Sequence, residues 1–250
     1  MTEPMGPLDA LFLHVEDGIS HMHIGSCSIF AGPSPSLEEL TASIESRLPL
    51  LNRYRQKVRF VPGGLGHPVW VDDPHFHLDY HVRHSALPPP GTAQDLENLM
   101  GRLMSQELDR HRPLWEVWMI EGLPDDRWAL ITKIHHCMVD GISGTDLMAV
   151  LLDADRLAPA RESEPWTPAP EPSDLQLTLQ ALGRIGSHQA RELLTGPFPR
   201  LHPRQAWEQL KAVSAGLKSF GARIMPPAKP ASIEGDIGPH RRWAAGRCKL

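Results

Sequence analysis

The sequence predicts a mixed α/β domain, because segments with the polar and apolar alternation of strands are interleaved with helical segments that carry N-terminal caps. Residues 23–30 alternate in part and are predicted to form a strand. A helix follows from Ser36 to about Leu48, and Ser36 and Glu39 form its capping box. A chain of 250 residues can bury a sizeable core, so we expect a sheet with helices packed against it.

The next segments continue this succession of strand and helix patterns. Residues 56–61 and 67–71 predict a hairpin, since a Pro-Gly-Gly turn separates two alternating segments. A further strand is predicted at 79–83. Thr92 then caps a helix that we expect to continue to about Leu108, because leucine and methionine recur along one of its faces.

Two consecutive strands lead into the most informative motif of the chain. Residues 114–120 alternate, a turn is predicted at 122–126, and residues 128–134 are mostly apolar, as is typical of a central strand. Two histidines stand at the end of the second strand. Ser143 has an acidic residue three positions later, which favours a helix cap over a nucleophile at this position.

The composition changes in the second half of the chain, and we predict three parts. Residues 1–156 form the α/β domain, 157–239 a proline-rich linker with two amphipathic helices, and 240–250 the start of a further domain. The two helices are predicted at about 173–195 and 203–224. The apolar face of the second helix favours a contact within the core or between domains, and binding to a membrane surface is the alternative.

Composition excludes several function classes. The formal net charge of -5 and a pI near 6.3 give no global basic field that would recruit nucleic acid. Cys27, Cys137 and Cys248 are far apart and include no CxxC pair, so we expect neither a thiolate zinc site nor a disulfide framework. No apolar run approaches the roughly 18 residues of a membrane span, and the N-terminus lacks a signal-peptide pattern. We expect a cytoplasmic protein for which peripheral contact with a membrane or lipid inclusion is left open.

His135 and His136 are the strongest candidates for chemistry. A histidine accepts a proton near neutral pH, and a strand that ends in a loop is a common position for catalytic groups. Because side chains alternate along a strand, only one of the two can face a given cavity, and the other would pack inside or steady the loop. Asp140 either orients His136, as in a catalytic triad, or pairs with an arginine to brace the loop. Gly141 allows the sharp turn that follows.

Other interpretations of these residue types are weaker. Adjacent histidines on an extended strand cannot easily ligate one ion, and the pairs His21/His23 and His75/His77 are more typical of surface histidines, so we predict no metal site. Cys137 beside the histidines suggests a nucleophile, but a packed small residue is the favoured interpretation.

The motif at 135–141 reads HHCMVDG and resembles the HHxxxDG signature of the CoA-dependent acyltransferase superfamily. That superfamily includes chloramphenicol acetyltransferase-like enzymes and the condensation domains of peptide synthetases. Four further segments resemble the bacterial wax ester synthase/diacylglycerol acyltransferase family: PLDALF at 7–12, MHIG at 22–25, RPLWE at 112–116 and Lys133-Ile134. The resemblance covers roughly residues 7–155, with its motifs in order.

This resemblance implies a chloramphenicol acetyltransferase-like two-layer α/β domain with a mixed sheet, followed by a crossover linker with helices. It implies that His136 is the general base, with His135 beside it in the catalytic motif, and that Asp140 and Gly141 are structural at the site. No cofactor is implied, because acyl-CoA is a substrate. The implied reaction moves a fatty acyl group from acyl-CoA to the hydroxyl of a long-chain alcohol or diacylglycerol, which gives a wax ester or triacylglycerol.

The resemblance also assigns structural roles and a partner. Arg53 or Arg55 is expected to pair with the aspartate of the motif, and Leu114-Trp115 is expected to be structural. Family members have two similar domains with the active site between them, so we expect the C-terminal half, as a second domain or chain, to be required and the isolated chain to have little or no activity. Two other functions stay open: condensation on carrier-protein thioesters, and a catalytically idle domain that scaffolds a lipid complex.

Overall fold

The computed structural model describes residues 2–139, 166–195 and 240–244. The chain divides into two compact units, one formed by residues 1–181 and 238–250 and the other by 182–237. The domain boundaries predicted from the sequence, near residues 156 and 239, remain a prediction.

The described elements follow one another with short connections. In chain order they are β1 (Glu3–Pro4), α1 (Pro7–Val15), β2 (His23–Ala31), α2 (Leu37–Glu45), β3 (Gln56–Arg59), β4 (Val69–Asp72), α3 (Leu78–His81), β5 (Val82–Ala86), α4 (Ala93–Met104), β6 (Trp115–Leu123), β7 (Arg127–His135) and α5 (Asp174–Thr195). Short 3-10 turns lie between some of them, and one of these, His136–Met138, directly follows β7.

A four-stranded mixed sheet in the order β2-β7-β6-β5 positions the histidine motif. β5 and β6 are parallel, whereas β7 pairs antiparallel with both β2 and β6. β7 therefore lies inside the sheet, and its last seven residues are buried, which explains why its sequence is mostly apolar. A second sheet, β1-β4-β3, is antiparallel and contains the predicted hairpin. The predicted fold class is confirmed.

Alternation along the central strands divides the core between two clusters. Ile120, Ala129 and Ile131 project on one side of the sheet and pack with the apolar face of α4. Val117 and Leu130 project to the other side and pack in a cluster that includes residues of α2. Because β7 is held from both sides, the position at which it ends is fixed by packing and not by a loop.

Two helix starts agree with their predicted caps, but both helices end earlier than expected. The capping boxes of Ser36 and Thr92 are both formed in full. α2 ends at Glu45, and the chain continues in a 3-10 turn that contains Pro49, which lacks the N–H that an α-helix would need there. α4 ends at Met104, and the apolar residue Leu108 beyond it packs instead in a cluster with residues of α1.

The strand predicted at 79–83 is partly wrong. Residues Leu78–His81 form a short helix, and the strand begins only at Val82 and extends to Ala86. The helical turn directs the imidazole of His81 into the core, where its ring stacks on that of Trp115 with centroids 4.5 Å apart. A single buried residue among more exposed ones gives a sequence pattern like the alternation of a strand, which explains the partly wrong prediction.

α5 confirms the first of the two helices predicted beyond the domain. Ser173 and Gln176 exchange hydrogen bonds at its N-terminus, and Leu177 and Ala181 pack on Val69 and other residues of the hairpin. The helix predicted at 203–224 and the one predicted after Ser143 lie outside the described residues. Within the described ranges no helix combines the length and apolar character that a bilayer crossing requires.

Candidate active site

His136 occupies the boundary between β7 and the 3-10 turn that follows it. Its backbone N–H donates to the carbonyl of Met22, at 2.8 Å, just before β2 begins. Its imidazole stacks on the ring of Phe12 in α1, with centroids 4.7 Å apart and planes inclined by 18°. The residue is partly exposed, so its position is defined while its ring stays accessible.

His135 points the other way and is fully buried. Its Nδ1 accepts the backbone N–H of Cys137 at 3.1 Å, and its Nε2 lies 3.3 Å from Oε2 of Glu16. Because Nδ1 is an acceptor, the ring proton lies on Nε2, which donates to the carboxylate. His135 therefore packs inside the domain, which is one of the two alternatives expected for the second histidine of the pair.

Glu16 connects the two sides of the histidine turn. Its Oε1 accepts the backbone N–H of Met22 at 2.9 Å, and its Oε2 accepts a hydrogen bond of 2.6 Å from Arg110 as well as the one from His135. Burial opposes ionisation of the carboxyl group, but the hydrogen bonds from His135, Met22 and Arg110 outweigh it and lower the pKa of Glu16 to about 2. The carboxylate is therefore ionised at neutral pH.

The helix that contacts His136 presents an apolar stripe to solvent. Leu8, Leu11 and Val15 are 64%, 50% and 46% exposed, and they recur at the spacing of one helix face. Phe12 lies next to this stripe and stacks on His136. Exposed apolar side chains concentrated on one helix face mark a surface that interacts with another apolar group.

The Leu114-Trp115 pair is part of the core, as the structural interpretation predicts. Leu114 is fully buried and Trp115 is 1% exposed. The indole N–H of Trp115 donates to the carbonyl of Tyr54 at 2.8 Å, and the backbone carbonyl of Trp115 hydrogen-bonds Nδ1 of His81 at 2.8 Å. The pair therefore joins β6 to the segments before β3 and β5.

Lys133, from the Lys-Ile-His-His segment, is also buried. Its ammonium group donates to the carbonyl of Leu103, at 3.0 Å, and to that of Gln106. These two carbonyls belong to the end of α4 and the turn after it, so the lysine ties this helix end to β7.

Two of the predicted site residues, Asp140 and Gly141, lie outside the described residues. The expected pairing of Asp140 with Arg53 or Arg55 therefore stays a prediction. Arg53 hydrogen-bonds Glu3 at 2.7 Å and lies over the ring of Trp70, whereas Arg55 donates to a backbone carbonyl and lies over Trp166.

Cys137 is packed in the core, and the predicted surface exposure is found for His75 and His77 but is wrong for His21, whose side chain is 3% exposed. Cys137 is 3% exposed within the core, and burial raises the pKa of its thiol, which suits a packed residue better than a nucleophile. The rings of His21 and His23 stack with centroids 5.6 Å apart. Across residues 2–139, 166–195 and 240–244, no three histidine, cysteine or acidic side chains are grouped as metal ligands.

Phe12, Glu16 and Arg110 contribute to the site but were not among the site residues predicted from the sequence. Glu16 lies 119 positions from His135 and 94 from Arg110, so no local spacing connects them. The available signal was weak: a glutamate directly after the amphipathic helix α1, and an arginine in the loop before β6.

Comparisons with known proteins support the resemblance. Residues 5–250 match the model of the wax ester synthase/diacylglycerol acyltransferase catalytic domain. The chain is 38% identical over 252 residues to the probable diacylglycerol O-acyltransferase tgs1 of Mycobacterium tuberculosis, which covers 97% of this chain and 50% of that protein. It is 40% identical over 185 residues to tgs3 of the same species, which covers 73% of this chain and 68% of that protein.

A solved structure gives the same result. The chain is similar to the wax ester synthase/diacylglycerol acyltransferase from Marinobacter aquaeolei VT8, with 30% identity and a TM-score of 0.52 over 79% of this chain and 48% of that one. The chain therefore spans about half the length of tgs1 and of the Marinobacter enzyme. The match over nearly its whole length leads to one conclusion: this chain belongs to the wax ester synthase/diacylglycerol acyltransferase family.

Proposed function

We propose that this chain provides the general base of an O-acyltransferase that uses fatty acyl-CoA and a long-chain alcohol or diacylglycerol. The observation that carries the proposal is the contrast within the histidine pair. His135 is buried and has both ring nitrogens hydrogen-bonded, whereas His136 is partly exposed and stacked on an apolar helix. This contrast supports His136, and not His135, as the histidine that exchanges a proton with a substrate.

The reaction follows from general acid–base chemistry. An unprotonated nitrogen of His136 accepts the proton of the acceptor hydroxyl as its oxygen attacks the thioester carbonyl of acyl-CoA. A C–O bond forms and gives a tetrahedral intermediate. The intermediate collapses with cleavage of the C–S bond, and the histidine returns its proton to the leaving thiolate of CoA. The products are the ester and free CoA, and no group on the protein is consumed.

The proposal requires a second half for turnover. Two of the relatives named above, tgs1 and the Marinobacter enzyme, are about twice as long as this chain, and donors for the developing oxyanion are expected from the part that this chain does not match. An assay with palmitoyl-CoA and hexadecanol or dioleoylglycerol should show little or no turnover for residues 1–250 alone, and activity when the remaining half of a relative is supplied. Full turnover by the isolated chain would contradict this requirement.

Substitution of His136 tests the assignment of the base. In the active, complete enzyme, His136→Ala should lower kcat by about 100-fold or more, because proton transfer by a positioned base contributes on that scale. His75→Ala is the matched control, since His75 is an exposed histidine outside the motif. An unchanged rate for a folded His136→Ala variant would reject the assignment and favour the idle scaffold. Activity of the enzyme with carrier-protein thioesters but not with acyl-CoA would instead favour condensation chemistry.

The exposed stripe of α1 supports lipid substrates. An alkyl chain that packs on Leu11 and its neighbours would remove apolar surface from water, at about 25 cal/mol per Å². Leu11→Asn should therefore raise the KM for palmitoyl-CoA or hexadecanol several-fold and leave the KM for the corresponding butyryl or butanol substrate nearly unchanged. Equal changes in KM for long and short substrates would show that the alkyl chain of the substrate does not bind at this stripe.

We also propose that the protein is cytoplasmic and meets its lipid substrates by peripheral contact with a membrane or lipid inclusion. The support for peripheral contact is the exposed apolar stripe on α1. Fractionation should find the protein partly on membranes or inclusions, and alkaline carbonate should release it, whereas high salt should not, because salt does not weaken an apolar contact. Extraction only by detergent would contradict the proposal.

A further inference from the structure

Glu16 directly follows α1 as its C-cap residue, and its side chain is 6% exposed. Its two oxygens serve different partners. Oε1 accepts the N–H of Met22, whereas Oε2 accepts hydrogen bonds from Arg110 and His135. A buried carboxylate that accepts hydrogen bonds from three donors is well solvated by the protein and has little freedom to move.

The first route from Glu16 to His136 passes through His135. The carboxylate accepts a hydrogen bond from the protonated Nε2 of His135. The unprotonated Nδ1 can therefore accept a hydrogen bond from the N–H of Cys137. That N–H belongs to the 3-10 turn whose first residue is His136. The carboxylate thereby selects the tautomer of His135 that can hold the turn.

The second route passes through Met22. Its N–H donates to Glu16, and its carbonyl accepts the N–H of His136 at 2.8 Å. The same carboxylate therefore holds both His135, which precedes His136, and Met22, which accepts the backbone N–H of His136. A proton-transferring group must be held within about 0.5 Å of its productive position, and a misplacement of about 1 Å can cost on the order of 100-fold in rate.

We propose that Glu16 is a positioning residue for the general base, and that Arg110 in turn holds Glu16 in place. The inference rests on the proposed role of His136 and adds the group that orients it. Glu16 does not touch substrate in this scheme. It acts by fixing the tautomer of His135 and the backbone of the turn.

Glu16→Gln gives a specific test, because an amide cannot accept on both sides. If the amide oxygen keeps the bond to Met22, the NH2 group faces the two donors Arg110 and His135. His135 then accepts at Nε2 and carries its proton on Nδ1, which can no longer accept the N–H of Cys137. The substitution should therefore exchange one histidine tautomer for the other.

The first measurement is NMR on the 1–250 chain with ¹⁵N-labelled histidine and backbone amides. In Glu16→Gln we expect the protonated nitrogen of His135 to change from Nε2 to Nδ1, and the amides of His136 and Cys137 to lose at least about tenfold in protection from hydrogen exchange. Glu3→Gln is the matched control, because Glu3 also pairs with an arginine but is exposed and remote from the motif. An unchanged tautomer with unchanged protection in Glu16→Gln would overturn the proposal.

The second measurement is kinetic and uses the complete enzyme. Glu16→Gln should lower kcat by about 10- to 100-fold with a change in the KM for acyl-CoA below about threefold, and Glu16→Asp should recover part of the loss. A kcat within twofold of the parent would overturn the proposal. Activity that survives His136→Ala would instead reject the proposed function, while the NMR result would still decide whether Glu16 fixes the turn.

A variant that keeps the carboxylate covers the case in which Glu16→Gln does not fold. Arg110→Gln keeps the carboxylate of Glu16 and removes the arginine that makes its shortest hydrogen bond. It should lower the protection of the His136 and Cys137 amides and lower kcat in the same direction, by a smaller factor. If Arg110→Gln leaves both the protection and kcat unchanged, the positioning role is contradicted.

Discussion

The ring of His136 lies nearly parallel to the ring of Phe12, with centroids 4.7 Å apart. This contact joins the C-terminal end of a central strand to the first helix of the chain. Stacked aromatic pairs contribute about 0.5–1.5 kcal/mol beyond their buried area. Phe12 therefore limits the orientations that the imidazole can adopt while leaving it partly exposed.

Loss of this stack should lower the rate without unfolding the protein. We expect Phe12→Leu to reduce kcat by roughly 2- to 10-fold in the complete enzyme, the equivalent of the energy of one aromatic pair. Phe30→Leu is the control, because Phe30 stacks on Trp128 with similar geometry at the other end of the same strands. Equal losses of kcat in the two variants would mean that the effect is one of general stability.

The ionisation of Glu16 should make folding stability depend on acid pH. Its folded-state pKa of about 2 lies below the ordinary value of 4.5, so the added stability is present above pH 4.5 and is lost as the pH falls toward 2. With allowance for solvent screening, we expect about 1–2 kcal/mol. Urea unfolding of the parent and Glu16→Gln between pH 6 and pH 3 should show their stabilities converging, whereas parallel curves would contradict the prediction.

His81 should destabilise the fold in acid for a different reason. Burial lowers its pKa to about 4, against the opposing effect of its hydrogen bond to the Trp115 carbonyl. The neutral ring is favoured in the fold, so stability is lost as the pH falls from 6.5 toward 4, by roughly 3 kcal/mol. His81→Phe should cost about 1 kcal/mol at pH 7 through the lost hydrogen bond and should flatten this pH dependence. A dependence as steep as that of the parent would exclude His81 as its source.

Trp115 should matter for stability and not for the chemical step. Trp115→Phe removes the donor to the buried Tyr54 carbonyl and should lower the free energy of unfolding by about 1–3 kcal/mol. Trp118→Phe is the control, because Trp118 is less buried and its indole donates to a side chain, Glu116, and not to a buried backbone carbonyl. Denaturant unfolding measures the difference. A large fall in kcat for folded Trp115→Phe would show that the structural assignment is incomplete.

Local chemistry made several elements predictable. The capping boxes at Ser36 and Thr92 use residues three positions apart, and the strand alternation of β6 and β7 is likewise written in neighbouring positions. The prediction of a strand at 79–83 was partly wrong. His81 is buried through a helical turn, and this burial depends on Trp115, which lies far along the chain. Pattern reasoning cannot separate a tertiary contact of this kind from strand alternation.

The sequence by itself determined the histidine motif, its place at the end of a strand and the family to which the chain belongs. The tertiary structure decided which histidine is accessible and what holds it. Glu16 reaches His135 across 119 positions, and Phe12 comes from a helix near the start of the chain. Such contacts arise only when strands pair and helices pack, because the partners share no local spacing and are brought together by the burial of the apolar core.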